Sequence, residues 1–141
     1  MFKQKTLVTL SMLGALLTAP LAMAETHTVD ARGLAFMPMV IKIAPGDTVA
    51  WDNMMTHNVE MIEGMIPEGT EAFKSEMSQD FSHTFEKEGI YVYICTPHIG
   101  AGMGGAVIVG NPVNLDAVKA ADATGGLNRV AKEAIAEAEG M

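Results

Sequence analysis

Between Cys95 and Met103 the chain places its only cysteine, a histidine and a methionine inside nine residues, reading Cys95-Thr96-Pro97-His98-Ile99-Gly100-Ala101-Gly102-Met103. Pro97, Gly100 and Gly102 let such a segment turn sharply, so three soft side chains can face one point. The run before it, Tyr91 to Ile94, alternates as a strand does. A fold that carries this loop has to hold it rigidly at a strand end, and the rest of the chain reads as the frame that does so.

A thiolate, an imidazole and a thioether form a soft donor set. A second imidazole completes the set that holds copper in electron-transfer sites, with methionine as the weak axial ligand. His57 is the candidate for that imidazole, so the expected ligands are His57, Cys95, His98 and Met103, holding one copper ion per monomer that cycles between Cu(I) and Cu(II). A lone cysteine can be an inert core residue and a lone methionine a gap filler. Three soft donors on one glycine-rich loop are not explained by packing.

The amino-terminal stretch limits where this chemistry takes place. Lys3 and Lys5 precede an apolar run from Leu7 to Leu17, followed by Pro20 and the small-residue site Ala22-Met23-Ala24. That is the pattern of a secretory signal peptide, too short and wrongly flanked for a membrane span. The expected division is a signal peptide over residues 1–24 and one copper-binding domain over residues 25–141, exported to the periplasm. The domain carries 7 basic against 17 acidic residues, a net charge of −10. Such acidity argues against nucleic acid and anionic membrane surfaces as partners, and one small acidic domain is expected to be a monomer. In an oxidising compartment an unpaired Cys95 needs protection, which metal ligation provides.

Short runs separated by turn signals predict strands over Thr26 to Ala31, over Phe36 to Ile43 with a break at Pro38, and over Thr48 to Trp51 after the turn Ala44-Pro45-Gly46-Asp47. Further runs follow at His57 to Ile62, Ser78 to Phe85, Ile90 to Cys95 and Ala106 to Val109, with Glu63 to Lys74 as a crossing loop. About seven to eight strands without intervening helices predict an all-β, antiparallel Greek-key sandwich. Two carboxy-terminal helices are expected against it: Leu115 to Ala121 capped by Asn114, then, after a break at Gly125-Gly126, an apolar stripe of Leu127, Val130, Ala131, Ala134, Ile135 and Ala138.

With Ala44-Pro45-Gly46-Asp47, His57-Asn58-Val59-Glu60, Ile66-Pro67-Glu68-Gly69 and Cys95-Thr96-Pro97-His98, the chain resembles the pseudoazurins, small periplasmic blue copper proteins of the cupredoxin fold. The resemblance spans nearly all of the mature chain, including both carboxy-terminal helices. By position it places the copper ligands on His57, Cys95, His98 and Met103. It implies single-electron carriage between protein redox partners, a donor and an acceptor such as copper nitrite reductase or a cytochrome, and it implies that Asn58 ties the His57 segment to the Cys95 loop. Two departures stand out. Pseudoazurins commonly ring the copper site with lysines, whereas here Met54, Met55 and Thr56 precede His57 and only Lys74 lies near a matching position; Leu34 takes the place of a larger residue beside the exposed histidine. An acidic protein with an apolar rim is expected to prefer a basic or mainly apolar partner surface.

Copper storage or delivery is the competing reading, but the methionines sit singly or paired without a repeated Met-x-x-Met run. An enzyme would need an open metal site with further histidines. Only His27 and His83 remain, both in alternating runs that give them structural or surface roles. No triad, phosphate loop or dinucleotide fingerprint competes. Met54 and Met55 are open between a docking patch and buried packing, and Glu60, Glu63, Glu68 and Glu71 read as solvated charge.

Overall fold

The computed structural model describes residues 23–141. The expected signal peptide lies outside the described residues except for Met23 and Ala24. Among the described residues, eight strands form two four-stranded sheets. Strands β1 (Thr26–Arg32), β2 (Ala35–Met37), β4 (Thr48–Asp52) and β6 (Phe81–Thr84) form the first, in the order β2-β1-β4-β6. Strands β3 (Val40–Ile43), β5 (Glu60–Met61), β7 (Gly89–Ile94) and β8 (Gly104–Val109) form the second, in the order β3-β8-β7-β5. Helices α1 (Leu115–Ala120) and α2 (Gly125–Glu139) cover the outer face of the second sheet.

The sandwich is mixed rather than antiparallel. Strand β1 runs parallel to β4, with Thr26 opposite Thr48 and Asp30 opposite Asp52, and β3 runs parallel to β8, with Val40 opposite Ala106. The pairs β1–β2, β4–β6, β5–β7 and β7–β8 are antiparallel. Of these six pairs, β1–β2 and β7–β8 join strands adjacent in sequence; the other four, two antiparallel and two parallel, join strands that another strand separates. Period-two patterning reports the buried face of a strand and not its neighbour's direction.

Two apolar layers account for the composition of β7 and β8. Tyr91, Tyr93, Val107 and Val109 face the first sheet, where they meet Val29, Phe36, Val49, Trp51 and Phe85. Ile90, Val92, Ala106 and Ile108 face the helices and meet Val118, Val130, Ala131 and Ala134. A strand buried on both faces loses the alternation of apolar and polar residues, and every residue of β8 is buried. Trp51 is fully buried, stacked with Phe81 at 5.8 Å and edge-on to Tyr93 at 5.3 Å.

Two helix expectations are corrected. Asn114 does not cap α1 with its side chain. Its carboxamide instead accepts from the Ile90 N–H at 2.7 Å and donates to the Ile90 carbonyl at 2.9 Å, tying the helix entry to β7. Gly125-Gly126 does not merely interrupt helical structure, because both residues lie in α2. A Cβ on Gly126 would stand 2.1 Å from the Ile99 carbonyl oxygen, so the missing side chain is what lets α2 approach the loop after β7.

The turn before β4 is held by Asp47, only 5% exposed. Its carboxylate accepts from the Glu25 N–H at 2.9 Å, from His27 Nε2 at 2.8 Å and from the Ala44 N–H at 3.0 Å. The Glu25 amide, then the His27 ring, then the Ala44 amide favour the ionised form and hold its pKa below the ordinary 3.8, outweighing burial. A lowered folded-state pKa gives stability that is present above the unfolded value and lost as pH falls through the folded one. Asp47→Asn is therefore expected to be less stable than wild type at pH 6, and acid titration of thermal stability should show that difference closing below the carboxylate range. A constant gap across the acid range would contradict this role.

Candidate metal centre

The loop that follows β7 is set by its own backbone. Thr96–Ala101 forms a 3-10 helix with Pro97 in its first turn, where a missing N–H costs nothing. Gly102 ends it at φ 82°, a left-handed conformation that a side chain resists. His98 N–H donates to the Cys95 carbonyl at 3.1 Å and Met103 N–H to the His98 carbonyl at 3.2 Å. Cys95 N–H donates to the Met103 carbonyl at 3.0 Å, which continues the Ile94–Gly104 pairing of β7 and β8. The ladder thus fixes Cys95 and Met103 side by side, and the 3-10 turn carries His98 between them.

His57 arrives from the segment joining β4 to β5. Its N–H donates to the Met54 carbonyl at 2.9 Å, and its carbonyl accepts from the Ser78 N–H at 2.9 Å. Residues His57 to Val59 are outside any strand, since β5 contains only Glu60 and Met61. That irregular segment turns the imidazole inward rather than continuing the pleat expected over His57 to Ile62.

Three of the expected donors meet. His57 Nδ1 and His98 Nδ1 are 3.1 Å apart, Cys95 Sγ lies 3.6 Å from His57 Nδ1 and 3.4 Å from His98 Nδ1. A triangle with these sides has its centre about 2.0 Å from each corner, within the range of metal–nitrogen bonds and slightly inside metal–sulfur bonds. These donors fit one ion. Met103, 1% exposed, belongs to the same buried cluster as Cys95. Cys95 is fully buried, His57 is 6% exposed, and His98 is only half-buried.

The protonation of these groups follows from burial. Desolvation first, and the neighbouring His98 second, hold the His57 pKa below its ordinary value, so the ring is kept neutral and its nitrogen is free to bind. Burial pushes the Cys95 thiol up, while the backbone N–H groups of Asn58 and His98 act in the opposite direction. Those two amides favour sulfur in its thiolate form, and Pro97 offers none.

Asn58 makes the tie expected of it. Its Oδ1 accepts from the Thr96 N–H at 2.8 Å and its Nδ2 donates to Thr96 Oγ1 at 2.9 Å, joining the segments that carry His57 and Cys95. Asn58→Ala would remove both bonds to the exposed Thr96, at about 0.5–1.5 kcal/mol each, and loss of such an outer contact should weaken metal binding by roughly 10–100-fold. Urea unfolding and copper competition with a chelator check both. Unchanged values would show that the contact does not hold the loop.

Glu60 is not simply solvated. Thr96 Oγ1 donates to its carboxylate and Lys74 Nζ pairs with it at 3.3 Å; the Thr96 bond, then Lys74, hold its pKa down against burial. Sequence reasoning missed this chain from Lys74 through Glu60 and Thr96 to Asn58, although Glu60 lies only three residues from His57. Met54 is buried and Met55 is 79% exposed, which divides the pair between the two roles considered. Leu34 is 53% exposed. His83 lies outside the cluster, 4.5 Å from Phe73 and 4.8 Å from Phe85 between ring centres, and His27 pairs with Asp47. Among the described residues no helix is long and apolar enough to cross a membrane.

Comparison with known proteins agrees with this geometry. Residues 23–110 match the family model for copper binding proteins, plastocyanin/azurin family. A Rhizobium leguminosarum bv. viciae protein of pseudoazurin type is 44% identical over 90 residues, covering 62% of this chain and 59% of that one, which is less than two thirds of its length. The pseudoazurin of Paracoccus pantotrophus is 40% identical over 113 residues, covering 74% of this chain and 77% of that one. The crystal structure of native pseudoazurin from Hyphomicrobium denitrificans superposes with a TM-score of 0.73 at 38% identity, covering 79% of this chain and 97% of that one.

Proposed function

The chain belongs to the pseudoazurins, within the plastocyanin/azurin family of copper-binding proteins, and on that premise we propose that it carries single electrons between protein partners in the periplasm. The observation that carries this reading is the convergence of two imidazole nitrogens and one thiol within 3.6 Å of one another, with Cys95 fully buried and His98 the most exposed of the donors. His57, Cys95, His98 and Met103 would hold the ion. Copper supplies a one-electron couple when bound.

The protein's part is to keep the donors in place in both redox states. The β7–β8 ladder fixes Cys95 and Met103, the 3-10 turn fixes His98, and Asn58 links that turn to His57. A frame held from three sides limits rearrangement, which is what rapid electron exchange requires. Burial of Cys95 keeps water from the sulfur. His98, half-buried between exposed Pro97 and Gly100, is the ligand through which a docked partner would couple.

The domain would be residues 25–141 after removal of residues 1–24, acting as a monomer. The partners would be a donor and an acceptor, with copper nitrite reductase or a cytochrome as candidates. Lys74, through its pairing with Glu60, and Arg129, whose guanidinium stands beside Gly102, supply positive charge near the loop, but the domain as a whole is strongly acidic, so a basic or largely apolar surface suits this chain.

A redox titration of the copper-loaded mature protein tests the role. Electron carriage predicts a reversible one-electron wave with copper retained over repeated cycles. Storage or delivery predicts instead that the reduced protein yields its copper readily to a competing chelator.

A further inference from the structure

Export processing would create a second metal-binding element at the other end of the sandwich. Cleavage after Ala24 leaves a chain beginning Glu25-Thr26-His27, with a free α-amine two residues before an imidazole. The amine, the amide nitrogens of Thr26 and His27 and the imidazole Nδ1 can close two five-membered rings and one six-membered ring around a single ion. Four nitrogens in a square suit Cu(II) and Ni(II).

In the structure one carboxylate, that of Asp47, holds both the nitrogen at the start of this segment and the ring at its end. The Glu25 backbone nitrogen lies 2.9 Å from Asp47 Oδ1 and His27 Nε2 lies 2.8 Å from Asp47 Oδ2. A carboxylate can only accept, so Nε2 carries the proton and Nδ1 of the neutral ring is bare. That is the nitrogen the chelate needs. A carboxylate on the far ring nitrogen is also the usual partner of a metal-bound histidine.

The segment is held from one side only. Strand β2 pairs with β1 from Asp30 onward, while Thr26 pairs with Thr48 of β4. Glu25 and Thr26 are exposed and His27 is half-buried. Binding must lift the amine from Asp47 and open the first pair of the ladder, the kind of local opening that strand termini undergo. Strand β4 runs from this point toward His57, so the two ends are roughly 15 Å or more apart.

We propose that Glu25-Thr26-His27, once freed by processing, forms a square-planar amino-terminal site for Cu(II) or Ni(II), with Asp47 holding the amine and the ring when no metal is present. The inference rests on cleavage after Ala24. Binding one ion to the protonated amine and neutral imidazole releases three protons, one from the amine and one from each amide, and no electron is transferred.

The test uses mature protein whose first site is filled with Cu(I), titrated anaerobically with Ni(II). Three chains are compared: one starting at Glu25, one retaining Ala24, and His27→Gln starting at Glu25. The expected result is one equivalent of low-spin nickel, with a visible d–d band and three protons released, in the first chain only. Retaining Ala24 inserts a third amide between amine and ring and should abolish the signal. Absence of nickel binding by the Glu25 chain, or equal binding in all three, overturns the site. Mass spectrometry of the exported protein separates the premises: an amino terminus other than Glu25 overturns the inference through its processing step, whatever the purified Glu25 chain binds.

Discussion

Cys95→Ser is expected to keep the fold, lose the intense thiolate-to-copper absorption and weaken copper binding by more than about a hundredfold, beyond what loss of an outer-sphere partner costs. The serine hydroxyl is nearly isosteric with the thiol and can still accept from the Asn58 and His98 amides that face Sγ. A serine hydroxyl does not ionise near neutral pH, so the only anionic donor of the set is removed. The two imidazoles, 3.1 Å apart at Nδ1, remain and should retain weak, pale binding. Stability of the metal-free protein should change by no more than about 1 kcal/mol. Visible absorption and copper competition give the first two results and thermal unfolding the third. Full colour in the serine variant would remove Cys95 from the site.

Gly126→Ala is expected to have the second large effect, acting on the site from helix α2. Its Cβ would lie 2.1 Å from the Ile99 carbonyl oxygen and 2.8 Å from Gly102 Cα. Both are backbone atoms of the turn between His98 and Met103, so neither can rotate away. Overpacking of this kind costs about 1–3 kcal/mol. The relief available is to push α2 off the loop or the loop off α2, and the second course changes the spacing of the ligands. Thermal unfolding should fall by several degrees, with an altered visible spectrum. Gly140→Ala is the control, because its Cβ would meet nothing closer than 3.6 Å. Equal behaviour of the two variants would show that α2 does not brace the loop.

The site was legible because most of it is local. Cys95, His98 and Met103 share one loop, and the donor types alone select a soft metal. His57 was harder: it meets the loop only because β4 and β7 end at the same side of the sandwich, yet few histidines compete for the place. Most strands were legible from their apolar runs and turns, as were the two helices from their apolar spacing, although β7 and β8 are buried on both faces and β5 holds only two residues of its expected run. Strand direction was not, since the parallel pairings of Thr26 with Thr48 and Val40 with Ala106 depend on contacts distant in sequence.

Asn114 and Gly126 show a second limit. Asparagine before a helix reads as a cap and paired glycines read as a break, because local rules describe what a residue does for its own backbone. Here Asn114 serves the backbone of Ile90, and Gly126 makes room for Ile99. Glu60 likewise looked solvated until Thr96 was folded against it. In each case the partner comes from another element and leaves no mark in the neighbouring sequence.

X-ray absorption at the copper edge of the loaded mature protein, oxidised and then reduced, tests the ligand set most directly. One short sulfur shell and two nitrogens from imidazole are expected in both states, with little change in distances on reduction and loss of the sulfur shell in Cys95→Ser. A first shell of nitrogen and oxygen only, or one that rebuilds on reduction, would contradict a copper centre formed by His57, Cys95, His98 and Met103.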